Sequence, residues 1–302
     1  MHEYREFTMK RIIVATDFSD ASYGAVNYAR QLARCFSAKV LVAHVIDMAR
    51  SLQLDGMPSE PLPDRIDAAE DEIQRIVSSL SFDGIRCSSV VRVGGIREVI
   101  SGLIEERSAD LLVLGTHGKG YRNGEGLGSV AEMLLRSVSC PVLTVGRHVR
   151  QDAYEGTHER TVLFPTDFSE TSRTALMYTA CLTRHLAGRL LLLHVDPPGA
   201  MWDACDHEKD FQEFTSGISC PSIASEHITR FGNPAQTIVK VSAEKDADFI
   251  VMGVHHSGPG GINPAERFAF DVIRLARCPV FTLSCGNVAK PRDHHILAAA
   301  HA

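Results

Sequence analysis

The chain has 302 residues, of which 44% are hydrophobic and 23% are charged, and its formal net charge is -6. This balance is typical of a globular protein with room for two domains, and it excludes a disordered or fibrous chain. The negative charge gives no general reason to bind nucleic acid or an anionic membrane. No segment reaches the roughly eighteen apolar residues of a membrane helix, and the N-terminus lacks a hydrophobic signal core. We therefore expect a cytoplasmic protein.

The first half alternates between short apolar runs, typical of buried parallel strands, and amphipathic segments at helical spacing. Such alternation predicts an α/β fold, in which a parallel sheet carries helices on both faces. In chain order the predicted elements are strand Arg11–Thr16, helix Asp20–Phe36, strand Val40–Val45, a helix near Ile66–Leu80, strand Cys87–Val93, helix Ile96–Glu106, strand Asp110–Gly115, helix Ser129–Val138 and strand Val142–Val145.

The second half repeats the first. The sequence TDFS from Thr16 recurs from Thr166, and KVLVAHV from Lys39 recurs as RLLLLHV from Arg189, both at an offset of 150 residues. Later in each half, ADLLVLG and ADFIVMG match at an offset of 138, so the second half lacks 12 residues after its second strand. A surface excursion tolerates such a change in length.

The repeat divides the chain into domains. We predict a first domain at 1–147, a polar linker at 148–160 without apolar periodicity, a second domain at 161–285, and a C-terminal tail at 286–302.

A glycine-rich loop, GTHGKGYRNGEGLGS at 115–129, joins the fourth strand to the helix that begins at Ser129. Glycine lets the backbone approach a ligand closely, and a helix N-terminus offers N–H groups and a favourable dipole to phosphate. A flexible connector has no need of glycine at spaced points, so binding is favoured. A Walker A loop is excluded because Lys119 is followed by Gly120, where a Ser or Thr is needed.

These residues make the first half resemble the universal stress protein family. The resemblance rests on the Thr-Asp-Phe-Ser turn, on Gly115, Gly118, Gly128 and Ser129 at the family's spacing, and on the Cys-Pro-Val run from Cys140. It extends over both halves, so the chain is identified as a tandem member. The resemblance implies two Rossmann-like (adenine nucleotide alpha hydrolase-like) domains, each an open five-stranded parallel sheet of order 3-2-1-4-5, with nucleotide at the carboxyl ends of strands one and four.

Carried over position by position, the resemblance implies an ATP site in the first domain. Asp17 would contact the adenosine moiety, the Val45 backbone would meet the adenine edge, and the glycines with Ser129 would hold ribose and phosphates. The predicted site residues are Ala15, Thr16, Asp17, Val45, Gly115, Gly118, Gly128, Ser129 and Val130. Ala15 departs from the proline that many members have there. An alternative role for Asp17 is to cap the helix that follows it.

The loop of the second half has lost this pattern. At matching positions, Gly118 becomes His256, Gly128 becomes Glu266 and Ser129 becomes Arg267. A carboxylate at a helix N-terminus would occupy and repel the phosphate position. We therefore predict one ATP per chain, accompanied by magnesium.

No metal site of the protein's own is predicted. The adjacent His255 and His256 point in different directions from a loop, and no third ligand is fixed by spacing. His44 and His194, at matching places in the second strands, are interpreted as histidines satisfied by backbone partners.

Two classes of function remain open. The first is a regulatory ATP-binding module with a role in the stress response and at most slow ATP hydrolysis; no catalytic residue is predicted, because no hydrolase or kinase motif is present. The second is a nucleotide-independent scaffold, in which the last strand of each half pairs with the other and a homodimer is possible. An adenylyl transferase is a third and weaker option, since the turn at 16–19 lacks a phosphate-binding His or Lys.

Overall fold

A computed structural model describes residues 9–48, 60–118, 126–149, 159–198, 207–216, 225–254 and 264–284. The strands of the first half are β1 (Arg11–Ala15), β2 (Lys39–Ile46), β3 (Cys87–Val93), β4 (Leu111–Gly115) and β5 (Val142–Val145), and its helices are α1 (Asp20–Phe36), α2 (Leu62–Phe82), α3 (Ile96–Arg107) and α4 (Ser129–Ser137). Apart from α2, which begins four residues earlier than predicted and ends two later, the predicted boundaries agree to within one residue.

The second half follows the same order. Its strands are β6 (Thr161–Pro165), β7 (Arg189–Asp196), β8 (Ser225–Phe231), β9 (Phe249–Val254) and β10 (Val280–Ser284), and its helices are α5 (Glu170–His185), α6 (His207–Thr215), α7 (Pro234–Glu244) and α8 (Pro264–Leu275). The short α6 occupies the place that the longer α2 occupies in the first half. The two repeat offsets predicted that the second half is shorter in this region.

One sheet runs through both halves in the order β3-β2-β1-β4-β5-β10-β9-β6-β7-β8. Pairing within each half is parallel, whereas β5 and β10 pair antiparallel with Phe281 opposite Leu143. Two buried hydroxyls add to this junction, since Thr144 Oγ1 donates to the Val280 carbonyl at 3.1 Å and Thr282 Oγ1 donates to the Val142 carbonyl at 3.4 Å.

Alternate residues of the buried strands point to opposite faces of the sheet, so helices cover both faces and the predicted α/β fold is confirmed. In β1, Ile12 and Val14 pack on the face that holds α1, α2, α5 and α6, whereas Ile13 packs on the face of α3, α4, α7 and α8. Within the described part of the chain, none of the helices is long and apolar enough to cross a membrane.

Candidate functional site

A cavity of about 320 Å³ opens at the carboxyl ends of β1, β2 and β4. Its volume lies at the lower end of the range found for ligand sites, roughly 300–1,000 Å³. It lies where the strand order reverses between β1 and β4, which is where open α/β sheets bind ligands. The cavity brings together all nine residues predicted for the nucleotide site, namely Ala15, Thr16, Asp17, Val45, Gly115, Gly118, Gly128, Ser129 and Val130.

The turn after β1 is held by hydrogen bonds among its own residues. Asp17 Oδ1 accepts from the Ser19 N–H at 3.1 Å and from the Ser19 hydroxyl at 2.6 Å. The helix cap is Ser19, whose Oγ accepts from the Ser22 N–H, so capping by Asp17 was the wrong alternative. Phe18 has a positive φ of 60°, and its N–H donates to Thr16 Oγ1 at 3.0 Å.

The same turn forms in the second half, where the glycine pattern is lost. The Phe168 N–H donates to Thr166 Oγ1 at 2.9 Å, and the Ser169 N–H donates to Asp167 Oδ1 at 3.0 Å. Burial opposes ionisation of Asp167, but hydrogen bonds from Ser169 and Ser172 outweigh it and lower the pKa of that carboxyl. The turn is therefore a feature of the fold and is not by itself evidence for a nucleotide.

Two glycines of the loop, Gly115 and Gly128, are required by the protein's own packing, whereas a third, Gly118, lies against a side chain. A Cβ at Gly115 would lie 2.7 Å from the backbone of Ala21, and one at Gly128 would lie 2.6 Å from the Thr116 carbonyl. A Cβ at Gly118 would meet the end of the Asp17 side chain, which can move aside. At Gly115 and Gly128, close contacts within the chain require glycine, so ligand binding is not the only reason for glycine at these two positions.

The N-terminus of α4 faces the cavity. Its N-cap, Gly128, has no side chain to donate or accept a capping bond, and Ser129, Val130 and Ala131 of the first turn line the cavity. N–H groups in this position are suited to an anion. In the second half, α8 begins at Pro264, three residues before the position that matches Ser129, so the equivalent helix end is built differently.

Glu266, which replaces Gly128, lies in the first turn of α8 and also makes a contact that the sequence did not predict. Its side chain is fully buried, and its Oε1 lies 3.6 Å from Nε of Arg136 on α4. This ion pair joins the two halves.

Five polar residues that line the cavity were missed by the sequence analysis, namely Ser22, Asp47, Arg65, Thr116 and His117. His117 follows β4, and its Nδ1 lies 2.6 Å from Thr116 Oγ1; burial, followed by the charge of Arg147, lowers the pKa of its imidazole. Arg65 reaches the cavity from α2 and donates to Met48 Sδ at 3.3 Å. His117 lay inside the loop already singled out, whereas nothing in the local pattern around Arg65 points to the cavity.

Some residues discussed from the sequence lie outside the described residues. These are Lys119, Gly120, His255, His256, most of the predicted linker (150–158) and the tail at 286–302.

Comparisons with known proteins agree with this architecture. The model of the "Universal stress protein family" matches residues 8–146 and 221–283, which together make up more than half of the chain. A universal stress protein of Methanocaldococcus jannaschii is 30% identical over 138 residues, covering 45% of this chain and 81% of that protein. One from Synechocystis is 34% identical over 135 residues, covering 41% of this chain and 85% of that protein.

A solved structure has the same fold over both halves. The universal stress protein from Archaeoglobus fulgidus has a TM-score of 0.71 at 20% identity, and the match covers 93% of this chain and 100% of that one. Together with the two matched segments and the relatives that align with about half of the sequence, this establishes a Rossmann-like fold present twice. The chain belongs to the universal stress protein family.

Proposed function

We propose that the first half binds ATP, accompanied by magnesium, with one nucleotide per chain, and that the protein acts as a regulatory stress-response module with at most slow hydrolysis. The observation that supports this most is the meeting of three features in one cavity: the Asp17 carboxylate, the end of β2 around Val45 and the N-terminus of α4.

The chemistry of these features suits the parts of ATP. An ionised carboxylate only accepts hydrogen bonds, so Asp17 suits ribose hydroxyls or the amino group of adenine and disfavours phosphate. Backbone groups at Val45 can meet the adenine edge. The N-terminus of α4, with Ser129 and the flanking glycines, provides N–H donors and a positive dipole end for phosphates. Magnesium would be held mainly by the phosphates and water, as is usual for this ion.

The domain arrangement is part of the proposal. We take 1–147 and 161–285 as two domains joined by a linker at 148–160, with the second domain as a partner that does not bind ATP. Antiparallel pairing of β5 with β10 supports an intramolecular pseudo-dimer. The same pairing favours the second candidate, a nucleotide-independent scaffold, because it needs no ligand. A homodimer of the whole chain remains a further proposal.

Asp17→Ala, with Asp167→Ala as its matched control, tests the nucleotide site. Both substitutions remove a carboxylate that accepts from the serine two residues later, so they damage the turn in similar ways. Wild-type chain stripped of ligand should bind Mg-ATP at one site per chain in titration calorimetry. Loss of a hydrogen bond to a charged group, about 1.5–3 kcal/mol, should weaken binding by roughly 10–150-fold in Asp17→Ala and leave Asp167→Ala near wild type.

Equal losses in the two variants would assign the effect to turn stability, and two sites per chain would contradict the predicted asymmetry. No binding by the wild-type chain would leave the scaffold as the leading function. Gly128→Glu, which copies Glu266, is a poorer test because any side chain at position 128 meets the Thr116 carbonyl.

A further inference from the structure

Three side chains of the second half meet at the carboxyl end of β7: His194, Asp196 and His207. One ligand atom from each lies within 4.8 Å of the other two. Asp196 Oδ1 is 3.4 Å from His194 Nε2, and Asp196 Oδ2 is 3.0 Å from His207 Nε2. We propose that this cluster is a binding site for a divalent transition-metal ion, with Zn²⁺ as the ion that fits it best.

Hydrogen bonds on the far side of each ring present the correct nitrogen to the ion. His194 Nδ1 lies 2.9 Å from the Thr166 carbonyl, which can only accept, so in the neutral ring Nδ1 carries the proton. His207 Nδ1 lies 3.2 Å from the Asp210 carboxylate, which fixes the same tautomer. In this neutral tautomer each Nε2 carries no proton and can bind an ion held beside Asp196.

These outer contacts have the form found around metal-binding histidines, which usually donate their second ring N–H to a carboxylate or a backbone carbonyl. Phe168 completes the surroundings, because its ring stacks on His194 at 4.6 Å and lies 6.2 Å from His207. The three side chains are only 15%, 9% and 12% exposed, so water is largely kept from the cluster.

The donor types favour zinc over the common hard cations. Metal bonds of about 2.1 Å in a tetrahedral site place two ligand atoms roughly 3.4 Å apart, and the two histidines lie 3.4 Å and 3.0 Å from different oxygens of Asp196, so the three groups are close enough to share one ion. Imidazole nitrogen suits Zn²⁺, whereas Mg²⁺ and Ca²⁺ prefer oxygen ligands. Three protein ligands leave a fourth position for water or another small ligand.

The first half shows that only part of this site comes from the fold. His44 has the same bond from Nδ1 to a carbonyl, that of Thr16, at 2.8 Å, and it stacks on Phe18 at 4.4 Å. However, the position of Asp196 is occupied there by Ile46. His194 has the backbone partner that was expected from the sequence, but this partner contacts only one of its two ring nitrogens. The acidic ligand and the second histidine are specific to the second half.

Zinc binding by the full chain tests the proposal. Wild type, His207→Ala, Asp210→Asn and the control His227→Gln are stripped with chelator, loaded with Zn²⁺, dialysed and analysed for metal. His227 is a suitable control because it also pairs with a carboxylate, that of Glu208, at 3.1 Å but lies outside the cluster. Circular dichroism of each apo-protein establishes that the variants are folded.

We expect one Zn²⁺ per wild-type and His227→Gln chain, and none retained by His207→Ala. Asp210→Asn should bind zinc roughly 10–100-fold more weakly, because its role is to orient His207. Co²⁺ should give the visible absorption of a tetrahedral site in wild type and lose it in His207→Ala. A folded wild-type chain that retains no zinc, or equal zinc retention in wild type and His207→Ala, would overturn the proposal.

Discussion

Glu266→Gln is expected to weaken the attachment between the two halves, because it neutralises a fully buried carboxylate that faces Arg136. At the observed 3.6 Å between Nε and Oε1, and with an effective dielectric constant of about 20, the Coulomb attraction is roughly 4–5 kcal/mol. Burying the carboxylate costs a large part of this. We therefore expect a coupling energy of about 1–3 kcal/mol in a double-mutant cycle with Arg136→Gln.

The chain provides a matched control for this cycle. Arg274 is the residue of the second half that corresponds to Arg136, and its NH2 group lies 3.7 Å from Asp271. The two arginines are similarly exposed, at 29% and 33%, whereas the carboxylates differ, with Glu266 at 0% and Asp271 at 48%. Since a surface ion pair is worth about 0.2–1 kcal/mol, the control cycle isolates the effect of burial.

Urea unfolding of the single and double variants in each cycle, followed by circular dichroism, gives both coupling energies. The burial argument is refuted if the coupling between Glu266 and Arg136 is no larger than that between Asp271 and Arg274. The coupling between Glu266 and Arg136 could also exceed that of the control pair but disappear in high salt. This result would indicate an interaction open to solvent and would contradict the burial of Glu266.

Three further predictions concern single residues. Thr144→Val should lower the free energy of unfolding by about 1 kcal/mol in urea titrations, because it removes the bond from a buried hydroxyl to the Val280 carbonyl. The pKa of His117 is lowered in the folded state. Its contribution to stability is therefore present above the unfolded-state pKa of 6.5 and is lost as the pH falls below that pKa. His117→Gln should flatten this part of a curve of melting temperature against pH. Burial raises the pKa of the Cys278 thiol to about 12, so at pH 8 in native protein a thiol reagent should label the exposed Cys35 before Cys278, which it should reach only on unfolding. An unchanged pH curve or fast labelling of Cys278 would contradict the corresponding prediction.

The two halves of the chain show which sequence motifs serve the fold itself. The Thr-Asp-Phe-Ser turn folds in the same way around Asp17 and Asp167, so its repetition reports a structural need. Gly115 and Gly128 likewise meet backbone atoms of the chain itself. The nucleotide proposal therefore rests more on the shared cavity than on either motif alone.

Local sequence patterns were enough to predict the alternating elements, the duplication, the turn after β1 and the residues gathered at the carboxyl ends of β1 and β4. These follow from periodicity, from repeats and from short-range hydrogen bonding, all of which are properties of neighbouring residues. The rule that parallel strands end at one edge of the sheet then places the predicted residues together.

Three contacts are visible only in the folded chain: Arg65 reaches the cavity, Glu266 pairs with Arg136, and His207 joins the residues at the end of β7. Each of these contacts joins residues from different elements, and their meeting depends on how helices pack on the sheet and where the connecting segments return. The local sequence does not predict such packing, because a polar residue of a helix occurs in the same local pattern whether its side chain faces water or a partner across the sheet.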